Sequence, residues 1–299
     1  MNRKLAAGLA LAAALAALAI FGGALAPYPA DHLEAFRVEL VDGVETPRYP
    51  PEGPTPGHLL GTDPDGYDLF SEMLRGARWT FGVVFATALL RAAVGLASGM
   101  LLGALGRKAP ERRGFSPFAA IPGFALAAFT LFPLTINSTL SPLALFAAQV
   151  AVLAAVELPA LVASFATRTA WILERPFAEA ARSSGAGRTW LLGRHALPFL
   201  LPQFLETIPA QALSVASLAG KLGVVLIFLG GTIMTTDPRL LRSASGEWIG
   251  LLAYYRNMVR GRPWLFLAPF AGWIIVYACA SLLASGLRKA FADARRFAD

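Results

Sequence analysis

Apolar residues in this chain gather into long unbroken runs rather than alternating with polar ones. Six runs stand out, near Leu5–Ala26, Trp79–Gly106, Phe115–Ile136, Leu140–Phe165, Leu201–Gly231 and Trp264–Leu287. Each reaches or exceeds the roughly 20 residues that a helix needs to cross a bilayer. A run of that kind predicts a helix, because in hydrocarbon the backbone must satisfy its own hydrogen bonds. The pattern predicts an all-α polytopic membrane protein with six transmembrane helices. Asn137-Ser138-Thr139 and Ser141-Pro142 supply the turn between the third and fourth spans.

The polar stretches divide the rest. Residues 1–26 read as an N-terminal anchor helix, 27–78 as an extracytoplasmic segment, 79–290 as a five-helix core and 291–299 as a cytoplasmic tail. Arg3-Lys4 before the first run resembles a signal peptide, but the run is longer than the usual core, and Pro27 follows Ala24-Leu25-Ala26. An uncleaved anchor is expected. Between residues 27 and 78, Pro47, Pro50, Pro51, Pro54 and Pro56 favour extended backbone and exclude a helix. From Asp68 onward, Leu69, Phe70, Met73 and Leu74 form one apolar face, which predicts a helix lying at the membrane surface before the second span.

Composition agrees with a membrane protein. The chain is 56% hydrophobic and only 15% charged over 299 residues, more apolar than soluble domains usually are. Its net charge of +7 points to cytoplasmic loops rather than to nucleic acid, because short cytoplasmic loops carry the excess Lys and Arg. Placing both termini inside puts Arg3, Lys4, Arg107, Lys108, Arg182, Arg188, Arg194, Arg288 and Lys289 in the cytoplasm. The expected location is a membrane, crossed several times, with both termini on the cytoplasmic side. The lone Cys279 excludes an intramolecular disulfide, and His32, His58 and His195 lack metal-ligand spacing. Asp63 to Asp68 is acidic, but Gly66 falls at the fourth position of the run rather than the sixth that a calcium loop needs. Turn and helix-cap chemistry is expected there. No phosphate loop, nucleophile elbow or HExxH occurs, so no catalytic residue, metal site or cofactor is assigned to this chain.

Three charges fall inside predicted spans: Arg91, Glu157 and Lys221. Each would cost about 2.5–3.5 kcal/mol at the centre of a lipid-facing helix. They should therefore face protein or water, lining a path, meeting a partner subunit or pairing with one another. Glu157 can also snorkel.

After the fourth span comes EAARSSGAGRTWLLGRHALP, from Glu179 to Pro198. Pro176 suits the first turn of a helix and Glu179 its positive end. Ala180, Ala181 and Ser184 make a slim face. Gly185 or Gly187 can stop the helix in the left-handed conformation. A second short helix from Arg188 to Ala196 should then end at Leu197-Pro198.

This segment resembles the cytoplasmic EAA coupling loop of ABC importer permeases. Gly61-Thr62-Asp63 through Asp68, Gly76-Ala77-Arg78, His195, Leu226 to Gly230, Trp248-Ile249-Gly250, Pro263-Trp264 and Gly286-Leu287-Arg288 narrow the resemblance. They are similar to the C-type subunits of dipeptide and oligopeptide (peptide/nickel) importers. At Tyr67 and Glu72 that branch usually has basic residues. The resemblance implies a type I importer permease fold, a heterodimer with a second permease subunit, two ABC ATPase subunits and an extracytoplasmic substrate-binding protein. ATP and Mg would be bound by the partners. Glu179, Ala180, Ala181, Arg182, Gly185, Leu197 and Pro198, within a coupling loop spanning 166–198, would carry the ATPase contact. Short peptides are the implied substrate, with nickel chelates and oligosaccharides as alternatives. An ion-coupled secondary transporter, using Arg91, Glu157 and Lys221, and a non-transporting scaffold are the competing classes.

Overall fold

The computed structural model describes residues 2–34, 37–41, 44–106, 122–234 and 241–296. The start of the third expected span (Phe115 to residue 121) and the basic residues Arg107, Lys108, Arg112, Arg113 and Arg239 lie outside them.

The chain is mostly helical. Helix α1 (Arg3–Leu25) is followed by an antiparallel hairpin, β1 (Arg37–Val41) and β2 (Val44–Arg48), with Arg37 opposite Arg48 and Val41 opposite Val44. Then come α2 (Leu69–Ala104), α3 (Gly123–Thr135) and α4 (Pro142–Leu173). The short α5 (Pro176–Ser183) and α6 (Arg188–Leu191) precede α7 (Leu197–Val224). A small hairpin, β3 (Thr232–Met234) with β4 (Leu241–Ser243), leads to α8 (Trp248–Tyr255) and the long α9 (Pro263–Arg296).

Among the described residues, four helices are long and apolar enough to cross a membrane: α1, α2, α4 and α9 as far as Asp293. The other two expected spans meet that standard less well. The described part of α3 has 13 residues. Helix α7 has 28 residues but is interrupted by Gln203, Glu206, Gln211 and Lys221.

Four expectations need correction. The helix beginning at Leu69 is not separate from the second span: α2 runs unbroken for 36 residues, capped by Asp68 Oδ2 accepting from Ser71 N–H. Gly76 lies between Leu74 and Trp79 but stays helical, seated where a Cβ would strike the backbone of Gly246, and Leu69 and Leu74 are buried rather than presented to a surface. The fifth run was expected to stay helical to Gly231. Instead α7 ends at Val224, and Leu226 turns with φ +63. Ile227, Phe228 and Leu229 remain apolar because they fill the core as irregular chain. The third and fourth corrections concern Pro198 and Lys221 and are given with the site below.

Helices α2 and α4 form the backbone of the bundle. Their contact is close because Gly99 and Gly103 face Phe165, Ala166 and Thr169; a Cβ at Gly99 would collide with that of Phe165. Small residues permit such an approach between helices that lipid alone would not drive together. At 1.5 Å per residue α2 is about 54 Å long, so it joins two distant ends of the molecule. The β3–β4 hairpin and α8 gather at its start; α5 and α6 sit at its finish.

Candidate functional site

At the far end of α2, Ala104 meets Leu173, Ala178 and Leu191 in one small core. This core seats α5. Arg175 has extended backbone, and Pro176 begins the helix where its missing N–H costs nothing. Ala178 is fully buried and Ala181 is packed beside it. Glu179, Ala180 and Arg182 point outward. Gly185 ends the helix at φ +87. Its N–H bonds Arg182 C=O at 2.9 Å, while Ala186 N–H bonds Ala181 C=O at 3.0 Å. That pair of bonds is the glycine-dependent helix stop. Gly187, the alternative stop, has φ −69.

The second helix does not end at Leu197-Pro198 as expected. Arg188–Leu191 passes into a π turn, Leu192–Ala196, and then directly into α7. Leu197 N–H bonds the carbonyl of Leu192, five residues back. A proline normally clashes with the carbonyl four residues before it. The widened turn moves that carbonyl aside, so Pro198 is absorbed near the start of α7 rather than stopping it. Leu197 and Pro198 are both exposed, as are Trp190 and Phe199. A groove of about 840 Å³ opens between α4 and α7 here, from Ser164 and Arg168 to Pro198 and Glu206.

Arg91 and Glu157 come together. Arg91 is completely buried, and its Nη1 lies 2.8 Å from Glu157 Oε2. Its Nε donates to Leu153 C=O at 3.0 Å and Nη1 also to Gln211 Oε1 at 3.1 Å. Ser214 Oγ donates to the same Glu157 oxygen at 2.6 Å. One arginine thus ties α2, α4 and α7 together, and every contact is with an acceptor that offsets its desolvation. The Glu157 side chain stays 41% exposed. Lys221 does not join them. It was expected mid-span, but it stands in the last turn of α7 and is exposed, where a cation complements the helix dipole.

The near end of α2 holds a cluster that the sequence did not reveal. Arg242 of β4 contacts three carboxylates: Glu72, Asp65 at 3.0 Å and Asp63 at 3.4 Å. Its guanidinium also lies 4.0 Å over the Tyr67 ring. Tyr255 Oη donates to Asp63 at 3.2 Å. Asp63 Oδ1 meanwhile accepts from Asp65 and Tyr67 N–H, the expected turn chemistry. Burial, then the charge of Glu72, pushes Asp63 up to about 7 despite Arg242. Burial alone would lower Arg242, but Glu72 and Asp63 raise it. Burial likewise lifts Glu247 to about 7, although Ile249, Gly250 and Leu229 N–H groups bond its carboxylate.

Both acids hold protons more tightly folded than unfolded. Their contribution is therefore complete below the ordinary carboxylate range and is lost as pH rises through about 7. Amide exchange in α8, corrected for intrinsic rate, should speed up by about tenfold or more between pH 5 and pH 8. Asp63→Asn should flatten that dependence; an unchanged slope would exclude Asp63 as its source.

Gln149, also missed, is fully buried in α4. Its amide donates to Phe228 C=O at 3.0 Å and its oxygen accepts from Gly230 N–H at 2.9 Å, holding the irregular chain after α7. A single amide in an apolar run was the available signal.

No protein-family model matches the chain. Individual proteins do. It is 30% identical over 289 residues, 95% of this chain and 88% of the relative, to the peptide transport system permease protein SapC of Escherichia coli. The chain belongs to the peptide transport permease family. It is also 29% identical over 298 residues, 97% of this chain and 88% of the relative, to the di/tripeptide transport system permease protein DppC of Pseudomonas aeruginosa. The probable D,D-dipeptide transport system permease protein DdpC of Escherichia coli is 27% identical over 237 residues, 79% of this chain and 73% of the relative. Coverage runs across both ends of this permease, so the α5 platform and the clasp around Arg242 both lie within the shared length. As a member of that family it is a membrane permease subunit of a peptide transport system.

Proposed function

We propose that this permease forms half of an ATP-driven path for short peptides and takes its motion from ATPase subunits through Glu179–Pro198. The observation that carries this reading is α5. Its buried Ala178 fixes it to the ends of α2 and α4, while Glu179, Ala180 and Arg182 stay outside. An amphipathic helix presented this way suits a groove on a partner. Force on it would reach α2 and α4 through that small core, and from them Arg91 and Glu157.

On this reading both termini and the α5 end are cytoplasmic, and the end bearing Arg242 faces the substrate-binding protein. Residues 27–78 and the β3–β4 region would be the outer surface, 79–290 the transporting core with its coupling loop over 166–198, and 1–26 an anchor. A second permease completes the path. Two ATPase subunits bind ATP and Mg and hydrolyse ATP; this chain contributes no catalytic group. Arg91 and Glu157 border the path or the interface between permeases. Lys221, remote from them, is retained only as an interface residue.

The deciding experiment is reconstitution. The complex purified through this chain should contain two ATPase subunits and a second permease by mass spectrometry. In proteoliposomes with its binding protein it should take up dipeptide only with ATP. Uptake driven by an ion gradient without ATP would favour the secondary-transporter reading, in which Arg91 and Glu157 exchange the coupling ion.

A further inference from the structure

A pocket of about 520 Å³ opens beside the Arg242 clasp, between the first turns of α2, the α3–α4 turn and the chain around β3 and β4. That volume falls in the range of small-molecule sites, roughly 300–1,000 Å³. Its lining mixes two kinds of residue. Leu140, Leu145 and Trp79 are apolar. Arg75, Arg78 and Arg242 bring three guanidinium groups.

The three arginines are not equivalent. Arg242 is committed to Glu72, Asp65 and Asp63. Arg75 donates to Tyr28 C=O at 2.6 Å and faces Glu72 one turn away. Glu72 is the acid that lines the pocket, and Arg242 and Arg75 both compensate it. Arg78 differs. It is exposed and lines the same pocket, and among the described residues no hydrogen bond or ion pair engages it. Its position next to Arg75 adds a like charge that an incoming anion would relieve.

The opposite rim is held in a fixed shape. Asn137 has φ +44, unusual for a residue with a side chain. Its backbone N–H bonds Thr232 C=O at 2.8 Å and its Oδ1 accepts from Met234 N–H at 2.9 Å. The α3–α4 turn is thereby fastened to β3, and Asn137 lines the pocket. A planar anion could meet Arg78 in a two-pronged hydrogen bond, with the attached chain lying on Trp79 and Leu145.

We propose that this pocket receives the free carboxylate end of a peptide, with Arg78 as the group that grips it. The proposal rests on the peptide-importer reading and adds a substrate contact made by the permease itself. The binding protein is a separate chain, so any selectivity altered by a substitution here comes from the permease.

The test measures equilibrium binding of tritiated Ala-Ala-Ala and of its C-terminal amide to the purified complex without binding protein. The wild type should bind the acid about tenfold or more tightly than the amide. Arg78→Gln should abolish that preference. Arg78→Lys, which keeps the charge but not the fork, should keep part of it. Because Arg78 is exposed, neither change should disturb the fold. Equal binding of acid and amide, no binding of either, or a preference that survives Arg78→Gln would each overturn the proposal. So would equal loss of both peptides in the variant. The same variants in ATP-driven uptake distinguish the sources of the carboxylate. Slower uptake of acid and amide alike, with peptide binding unchanged, would assign Arg78 to an acidic residue of the binding protein and overturn the proposal. Acid-selective binding without any uptake would sink the importer reading while the pocket stands. Uptake without acid selectivity would do the reverse.

Discussion

Glu157→Leu is expected to destabilise the helical bundle by about 3 kcal/mol, the lower end of the cost of breaking a buried ion pair. The substitution leaves Arg91 fully buried with its charge intact. Leu153 C=O and Gln211 still accept from it, but no other carboxylate among the described residues pairs with it. The converse change should cost less. Arg91→Met leaves behind a carboxylate that is 41% exposed and still bonded by Ser214. The double variant Arg91→Met/Glu157→Leu should recover most of the loss, since apolar residues of similar volume often replace such a pair without penalty. The measurement is the midpoint of thermal unfolding of the detergent-solubilised complex for all four proteins. The order expected is Glu157→Leu lowest, Arg91→Met next and the double variant near wild type. Equal midpoints for Glu157→Leu and the wild type would show that the pair contributes nothing to stability.

That pair also shows how far sequence could go. The cost of a charge among apolar residues required Arg91 and Glu157 to find polar surroundings. Their partnership, across 66 positions, depended on how α2 and α4 pack, which no local pattern encodes. The loop after α4 was legible for the opposite reason. Pro176, Glu179 and Gly185 act within their own turn of helix, and the structure gives each the expected local geometry: a proline in the first turn, a carboxylate near the N-terminus and a left-handed stop. Pro198 misled because its rule assumes a regular helix, and the π turn at Leu192–Ala196 removes that assumption. The β1–β2 hairpin was not among the expected elements, although Asp42-Gly43 between two valines is a strong two-residue turn signal; the prolines that follow favour extended backbone without specifying a pairing partner. Arg242 and Glu72, 170 positions apart, lay beyond any local reading. The sixth-span expectation ran well because Trp264 to Leu287 falls wholly inside α9.

Gly185→Val should abolish most ATP-driven peptide uptake while leaving the membrane helices folded. In this structure a Cβ at Gly185 would meet nothing within 4 Å, so the damage is not a clash within the chain. It comes from the backbone. The φ of +87 is one that a β-branched residue strongly resists, at about 1–2 kcal/mol or more. Relaxation would unmake the bonds from Gly185 and Ala186 to Arg182 and Ala181. The end of α5 would then fray, and Glu179, Ala180 and Arg182 would lose their fixed aim. The core at Ala178 and Leu191 should survive, because it is anchored from α2 and α4. Gly185→Ala should be milder and Gly185→Asn milder still, since Asn tolerates the left-handed region. Glu179→Lys isolates the other component. It keeps the backbone but places a cation at a helix N-terminus and reverses the charge offered to a partner. Co-purification of ATPase subunits and uptake should therefore fall together in Glu179→Lys, whereas Gly185→Val should lose more uptake than subunit. Normal uptake in both variants would remove α5 from the coupling mechanism.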